Sequence, residues 1–168
     1  MISNRPSKIY PQVLPWIRKV KEDLPEGGKL GAAGFCWGGY LSTHLCTEVV
    51  SPSSSNPNAQ PQHLIDAQFT AHPSALAAPT DIIDAVKSGV PYSLALGTKD
   101  MVLAASKVDE AEATLRQDPK HDDYVYEFKM YQDMLHGFSV RGDASDKVVQ
   151  EAMERAKTQA IEWFKKHL

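Results

Sequence analysis

The sequence predicts an α/β protein: a mostly parallel sheet of about four strands with helices on both faces. Short apolar runs of strand length alternate with longer helical stretches, and that alternation implies parallel pairing through right-handed crossovers. A Gly-rich hexapeptide, Gly34-Phe35-Cys36-Trp37-Gly38-Gly39, stands where an apolar run gives way to a helical one. At 168 residues the chain is long enough for one domain, spanning 1–168, with a real core.

The elements follow in order. Residues 8–24 carry a helical stripe of Ile9, Val13, Trp16, Ile17 and Val20, with Pro11 and Pro15 limiting where the helix starts and Pro25-Glu26-Gly27-Gly28 ending it. Lys29 to Ala33 is small and apolar, suited to a strand buried on both faces. A helix follows from Tyr40 to about residue 50. Residues 51–63, opening with Ser51-Pro52-Ser53-Ser54-Ser55-Asn56-Pro57-Asn58, form an expected flexible insertion. Ala67 to Ala71 is a second strand, ending at His72-Pro73-Ser74. A short helix over 81–87, capped by Thr80 or Asp81, leads to a third strand, Val90 to Gly97, with Pro91 at its entrance.

Residues 104–117 are helical, and 124–131 alternate Tyr124, Tyr126, Phe128 and Met130 against Val125, Glu127, Lys129 and Tyr131. The charges mark that fourth strand as an outer one. The last helix, about 145–167, lines up Val149, Ala152, Ala156, Ala160, Trp163 and Phe164.

Composition narrows the function. A net charge of −3 gives no basic face for nucleic acid. Two cysteines, Cys36 and Cys46, make neither a disulfide framework nor a metal cluster by spacing, and free thiols suit a reducing, cytoplasmic setting. No apolar run reaches membrane-span length, and the N-terminal stretch lacks a signal-peptide core. Neither a metal ion nor an organic cofactor is expected, nor a nucleic-acid or membrane partner.

The hexapeptide has the form of a nucleophile elbow with a thiol in place of the usual hydroxyl. A sharp strand-to-helix turn needs glycine on both sides for want of room, and the helix N-terminus facing the sulfur favours the thiolate. A buried structural cysteine is the plainer alternative. Asp100 follows the third strand and His136 the fourth, so Cys36, Asp100 and His136 all fall at the carboxyl edge of one parallel sheet. Their order, nucleophile, acid, histidine, is the one α/β-hydrolases use. In that reading Cys36 attacks a carbonyl, His136 moves the proton, Asp100 orients the imidazole, and the Trp37 backbone N–H stabilises the oxyanion. Taken singly, Asp100 could be a helix cap and His136 a turn residue. His72 is expected in the pocket wall, and Cys46 in the core.

These motifs together, Gly34 to Gly39, His72-Pro73-Ser74, Gly97-Thr98-Lys99-Asp100 and His136-Gly137-Phe138, resemble the dienelactone hydrolase family over roughly residues 8–168. The resemblance implies an α/β-hydrolase fold and hydrolysis of a small ester, lactone or thioester, with Cys36, Asp100 and His136 in the catalytic positions. It makes Arg141 the counterpart of an arginine that holds a substrate carboxylate, the alternative being a surface arginine. Phe35 and His72 would stand against the substrate.

One departure stands out: only 35 residues precede Cys36, where the family has several strands. The chain is therefore expected to be a truncated α/β-hydrolase fold, lacking the loop with the second oxyanion donor and the glutamate that controls the thiol. The Leu30 to Phe35 strand would then be an edge, open to a homodimer. A carboxylesterase or thioesterase on the same scaffold, and a remnant that only binds a small molecule or partner, stay as alternatives.

Overall fold

The computed structural model describes residues 5–50 and 62–168. Helix α1 (Pro6–Glu22) begins with a proline in its first turn, where the missing N–H has no helical partner to lose. It starts earlier than the sequence suggested, and Pro11 and Pro15 lie inside it. Both occupy its exposed side, as do Ser7 and Trp16, so the carbonyls deprived of a donor can turn to water. The inward stripe is Tyr10, Leu14 and Ile17, while Trp16, expected on it, is 67% exposed.

Strand β1 (Gly31–Phe35) runs into α2 (Trp37–Leu45) through Cys36. That helix stops short of residue 50 because Val49–Val50 form strand β2, paired antiparallel with β3 (Gln62–His63). β-branched residues favour such pairing over continued helix. Residues 51–61, most of the expected insertion, lie outside the described residues.

Strand β4 (Ala67–Ala71) leads to α3 (Thr80–Lys87). Neither Thr80 nor Asp81 caps that helix: Pro79 stands at the cap position, and the Asp81 carboxylate instead accepts the Ala77 N–H upstream at 2.7 Å. Strand β5 (Tyr92–Gly97) follows Pro91, then α4 (Ala105–Arg116) and β6 (Tyr126–Tyr131). A one-turn helix α5 (Phe138–Arg141) precedes α6 (Lys147–His167), whose N-terminus is capped by the Asp146 side chain accepting from the Val148 and Val149 N–H groups.

The four long strands form one parallel sheet in the order β1-β4-β5-β6. All residues of β4 and β5 are buried, as central strands require; β1 and β6 are the edges and are partly exposed. The apolar β1 run, suited by composition to burial on both faces, is therefore only half covered here.

Alternate residues face opposite layers. Tyr92, Leu94 and Leu96 meet Leu45 of α2, Ile82 and Val86 of α3, and Val108 and Leu115 of α4. Phe69, Ala71, Ala95 and Tyr131 meet Phe138 of α5 and Ala152, Ala156 and Trp163 of α6. Each large apolar side chain so buried contributes about 1.5–3 kcal/mol. An exposed ion pair such as Lys107–Glu110, at 2.6 Å, contributes about 0.2–1 kcal/mol, so apolar burial holds the layers.

Candidate active site

Parallel strands place their carboxyl ends on one edge, and each strand of this sheet delivers one side chain there. Cys36 follows β1, His72 follows β4, Asp100 lies three residues past β5, and His136 sits in the loop after β6. The Cys36 backbone has φ 49° and ψ −117°, a left-handed conformation that a non-glycine residue holds only at a cost of about 1–3 kcal/mol. Its carbonyl accepts from Gly39 N at 3.0 Å and Ser74 N at 2.9 Å, and its N–H donates to Ala71 O at 3.3 Å, which pins the elbow. A Cβ at Gly34 would stand 2.3 Å from Ser42 Oγ and 2.4 Å from the Gly38 carbonyl oxygen, so only glycine lets the strand and helix approach this closely.

His136 Nδ1 donates to the Asp100 carboxylate, 2.9 Å from Oδ2 and 3.1 Å from Oδ1. The same Oδ1 accepts the N–H groups of Val102 at 2.8 Å and Leu103 at 3.1 Å, so one buried carboxylate ties down both its own turn and the imidazole. Gly137, at φ +88°, turns the chain straight from His136 into α5.

The sulfur's nearest histidine is not the expected one. Cys36 Sγ lies 3.2 Å from His72 Nδ1, while a nitrogen of His136 lies within 4.8 Å of it. Rather than facing open solvent, His72 is fully buried; its other nitrogen is 2.7 Å from Ser139 Oγ, and the ring packs edge-on to His136 and Phe138. Burial pushes the His72 pKa down to about 4. Arg141 Nη2 donates to Cys36 Sγ at 3.2 Å.

Ser139 was not foreseen, although it falls in the same short run as His136. The one turn of α5 thus buries Phe138 as an anchor and presents Ser139 to His72 and Arg141 to the sulfur.

Phe35 lies with its ring 6.3 Å from that of His72 and borders a cavity of ≈ 310 Å³ with Phe69, Ser139, Val140 and Ile161. A second cavity, ≈ 330 Å³, lies between α1, β1 and α2 and is bordered by none of Cys36, His72, Asp100 or His136. Trp37 opens α2. Cys46 is in the core as expected; burial pushes its thiol pKa up.

Solved structures of similar architecture share the fold. Esterase 2 of Thermogutta terrifontis in its apo form superposes with a TM-score of 0.61 at 16% identity, over 95% of this chain and 66% of that one. An alpha-beta serine hydrolase homologue from Coxiella burnetii gives 0.54 at 14% identity, over 90% of this chain and 60% of that one. The fold is that of an α/β-hydrolase. The profile of the dienelactone hydrolase family matches residues 1–168, and the chain belongs to that family.

Among curated relatives, hydrolase tropI of Talaromyces stipitatus is 32% identical over 143 residues, covering 83% of this chain and 46% of that protein. Hydrolase pyvD of Aspergillus violaceofuscus is 27% identical over 164 residues, covering 97% of this chain and 57% of that protein. The chain therefore spans about half the length of the curated relatives it matches.

Proposed function

We propose that the protein hydrolyses a small ester, lactone or thioester through Cys36, His136 and Asp100. One observation carries this reading: a cysteine held in a strained elbow, with a nitrogen of the Asp100-bound His136 within 4.8 Å of its sulfur. Cys36 gives its proton to His136, and the sulfur attacks the carbonyl carbon while the π electrons move onto oxygen. The Trp37 backbone N–H, at the start of α2, supplies an oxyanion donor. Collapse expels the alcohol or thiol with the proton from His136, leaving a thioester. Water activated by His136 then releases the acid and restores the thiol.

His136 rather than His72 is assigned the proton. With a pKa of about 4, His72 would be protonated in only about one molecule in a thousand at neutral pH, a poor match to acid–base work. His72 instead receives the resting S–H. Attack needs the sulfur to turn from His72 toward His136. Arg141, which holds the sulfur in this structure, is assigned to a substrate carboxylate by its planar fork, and Phe35 with its cavity to the substrate's apolar part.

Hydrolysis of a chromogenic ester by wild type beside Cys36→Ala tests the reading. The substitution is expected to cost about a thousandfold or more in kcat/KM; equal rates would overturn it and leave a small-molecule binding role. A reducing, cytoplasmic setting belongs to the same proposal, since Cys36 must remain a thiol; among the described residues no helix is long and apolar enough to cross a membrane. Self-association of two copies through the unpaired side of β1 is proposed with it, and light scattering reads it directly.

A further inference from the structure

We propose that Cys36, His72 and His136 form a three-ligand site for a zinc-class divalent cation. One ligand atom from each of the three lies within 4.8 Å of the other two, and the Sγ–Nδ1 separation of Cys36 and His72 is 3.2 Å. Zinc bound at about 2.3 Å to sulfur and 2.0–2.1 Å to nitrogen spaces tetrahedral ligand atoms by about 3.3–3.6 Å. The cluster therefore has to close by about 1 Å at its widest edge.

The surroundings are already those a metal site requires. His136 Nδ1–H is held by the Asp100 carboxylate at 2.9 Å, which leaves Nε2 with the lone pair. His72 Nε2 is 2.7 Å from Ser139 Oγ; donation to that hydroxyl leaves the lone pair on Nδ1, the atom beside the sulfur. An oxygen partner on the far nitrogen is what fixes tautomer and ring orientation in metal-binding histidines.

One thiolate and two imidazoles suit zinc, cobalt(II) or copper rather than magnesium or calcium, which prefer oxygen. Three protein ligands also leave a fourth position for water. Binding forms the sulfur–metal bond as the thiol proton leaves to solvent, with no change of oxidation state. Arg141 opposes it: its guanidinium, 3.2 Å from the sulfur, must swing away, and its exposed position allows this.

The site shares Cys36 and His136 with the proposed hydrolysis but does not depend on it. A metal-bound sulfur is withdrawn from attack, so the cation would silence that chemistry.

The test is a cobalt(II) titration of the whole protein under reducing conditions free of chelators. One equivalent is expected to produce a thiolate-to-cobalt charge-transfer band with visible bands of four-coordinate intensity, displaced by zinc. Cys36→Ser should abolish the charge-transfer band, and Cys46→Ala should leave it intact. Ser139→Ala should weaken binding by about tenfold, and Arg141→Gln should tighten it. On the unaltered protein, zinc should protect Cys36 from iodoacetamide.

Absence of the band at saturating cobalt would overturn the site, as would its survival in Cys36→Ser or unimpeded alkylation under zinc. An esterase-active protein lacking the band would sink this inference alone, and an inactive protein showing it would sink only the hydrolase reading.

Discussion

At the residue scale, Asp100 does not cap the helix that follows it, whose cap position is Ala104, but ties down the turn in between. The sequence left it between a cap and a triad acid; the structure has Oδ1 accepting two turn N–H groups while the carboxylate also accepts His136 Nδ1. Asp100→Asn is therefore expected to lower turnover by about a hundredfold or more with a modest loss of stability. Asp100→Ala, which strands both N–H groups, should also lower Tm clearly. Thermal melts beside ester kinetics separate the two effects.

His72 contributes to the pH dependence of stability. Its folded-state pKa is depressed to about 4 from the ordinary 6.5, so between those values the unfolded chain binds the proton and the folded one resists it. The contribution of His72 is fully present above pH 6.5 and is lost as pH falls through this window. Melts across the window should show a shallower slope in His72→Gln than in wild type; an unchanged slope would remove the buried neutral imidazole from the account.

At the element scale, the elbow turns on which glycine lacks room. Gly34 is hemmed in by Ser42 Oγ and by the Gly38 backbone, whereas a Cβ at Gly38 meets nothing within 4 Å. Gly34→Ala should cost about 3 kcal/mol or more, because one neighbour is main chain and cannot yield. Gly38→Ala, inside α2, should be neutral or stabilise by up to about 1 kcal/mol. Chemical denaturation of the two variants decides this, and equal losses would contradict the packing described.

Elements with a sustained period were legible. The two-residue alternation of β6 and the stripe of α6 emerged as the sequence indicated, with Ala152, Ala156 and Trp163 buried. The β2–β3 ribbon was not, since two residues carry no period. The inward side of α1 was obscured because Trp16 is apolar yet faces water, and prolines on an exposed helical side weaken a start signal without forbidding the helix.

At the scale of the whole molecule, the sheet has one edge protected by charge and one, β1, whose outer side pairs with no strand among the described residues. β6 carries Glu127 and Lys129, joined by an ion pair at 3.3 Å, as edge strands use charge to discourage pairing. β1 has no charged residue, and apolar cavities of ≈ 330 Å³ and ≈ 310 Å³ flank its two faces. Ala33 is exposed in the middle of that strand, so Ala33→Lys should shift light-scattering mass toward monomer at concentrations where wild type associates. A wild type that stays monomeric at high concentration would end the proposal of self-association. The chain spans only 46% and 57% of the tropI and pyvD hydrolases, so measured turnover also bears on whether this portion suffices for the proposed chemistry.

By itself the sequence determined the type and order of the long elements, and the placement of Cys36, Asp100 and His136 after strands β1, β5 and β6. Hydrophobic period and turn chemistry are local properties, and parallel pairing then brings all carboxyl ends together. Only the tertiary structure decided that the resting sulfur meets His72 rather than His136, that Ser139 holds the far side of that ring, and that two histidines and a cysteine cluster within 4.8 Å of one another. Those contacts join residues from different strands, and they depend on strand neighbours and side-chain rotamers that no local pattern encodes.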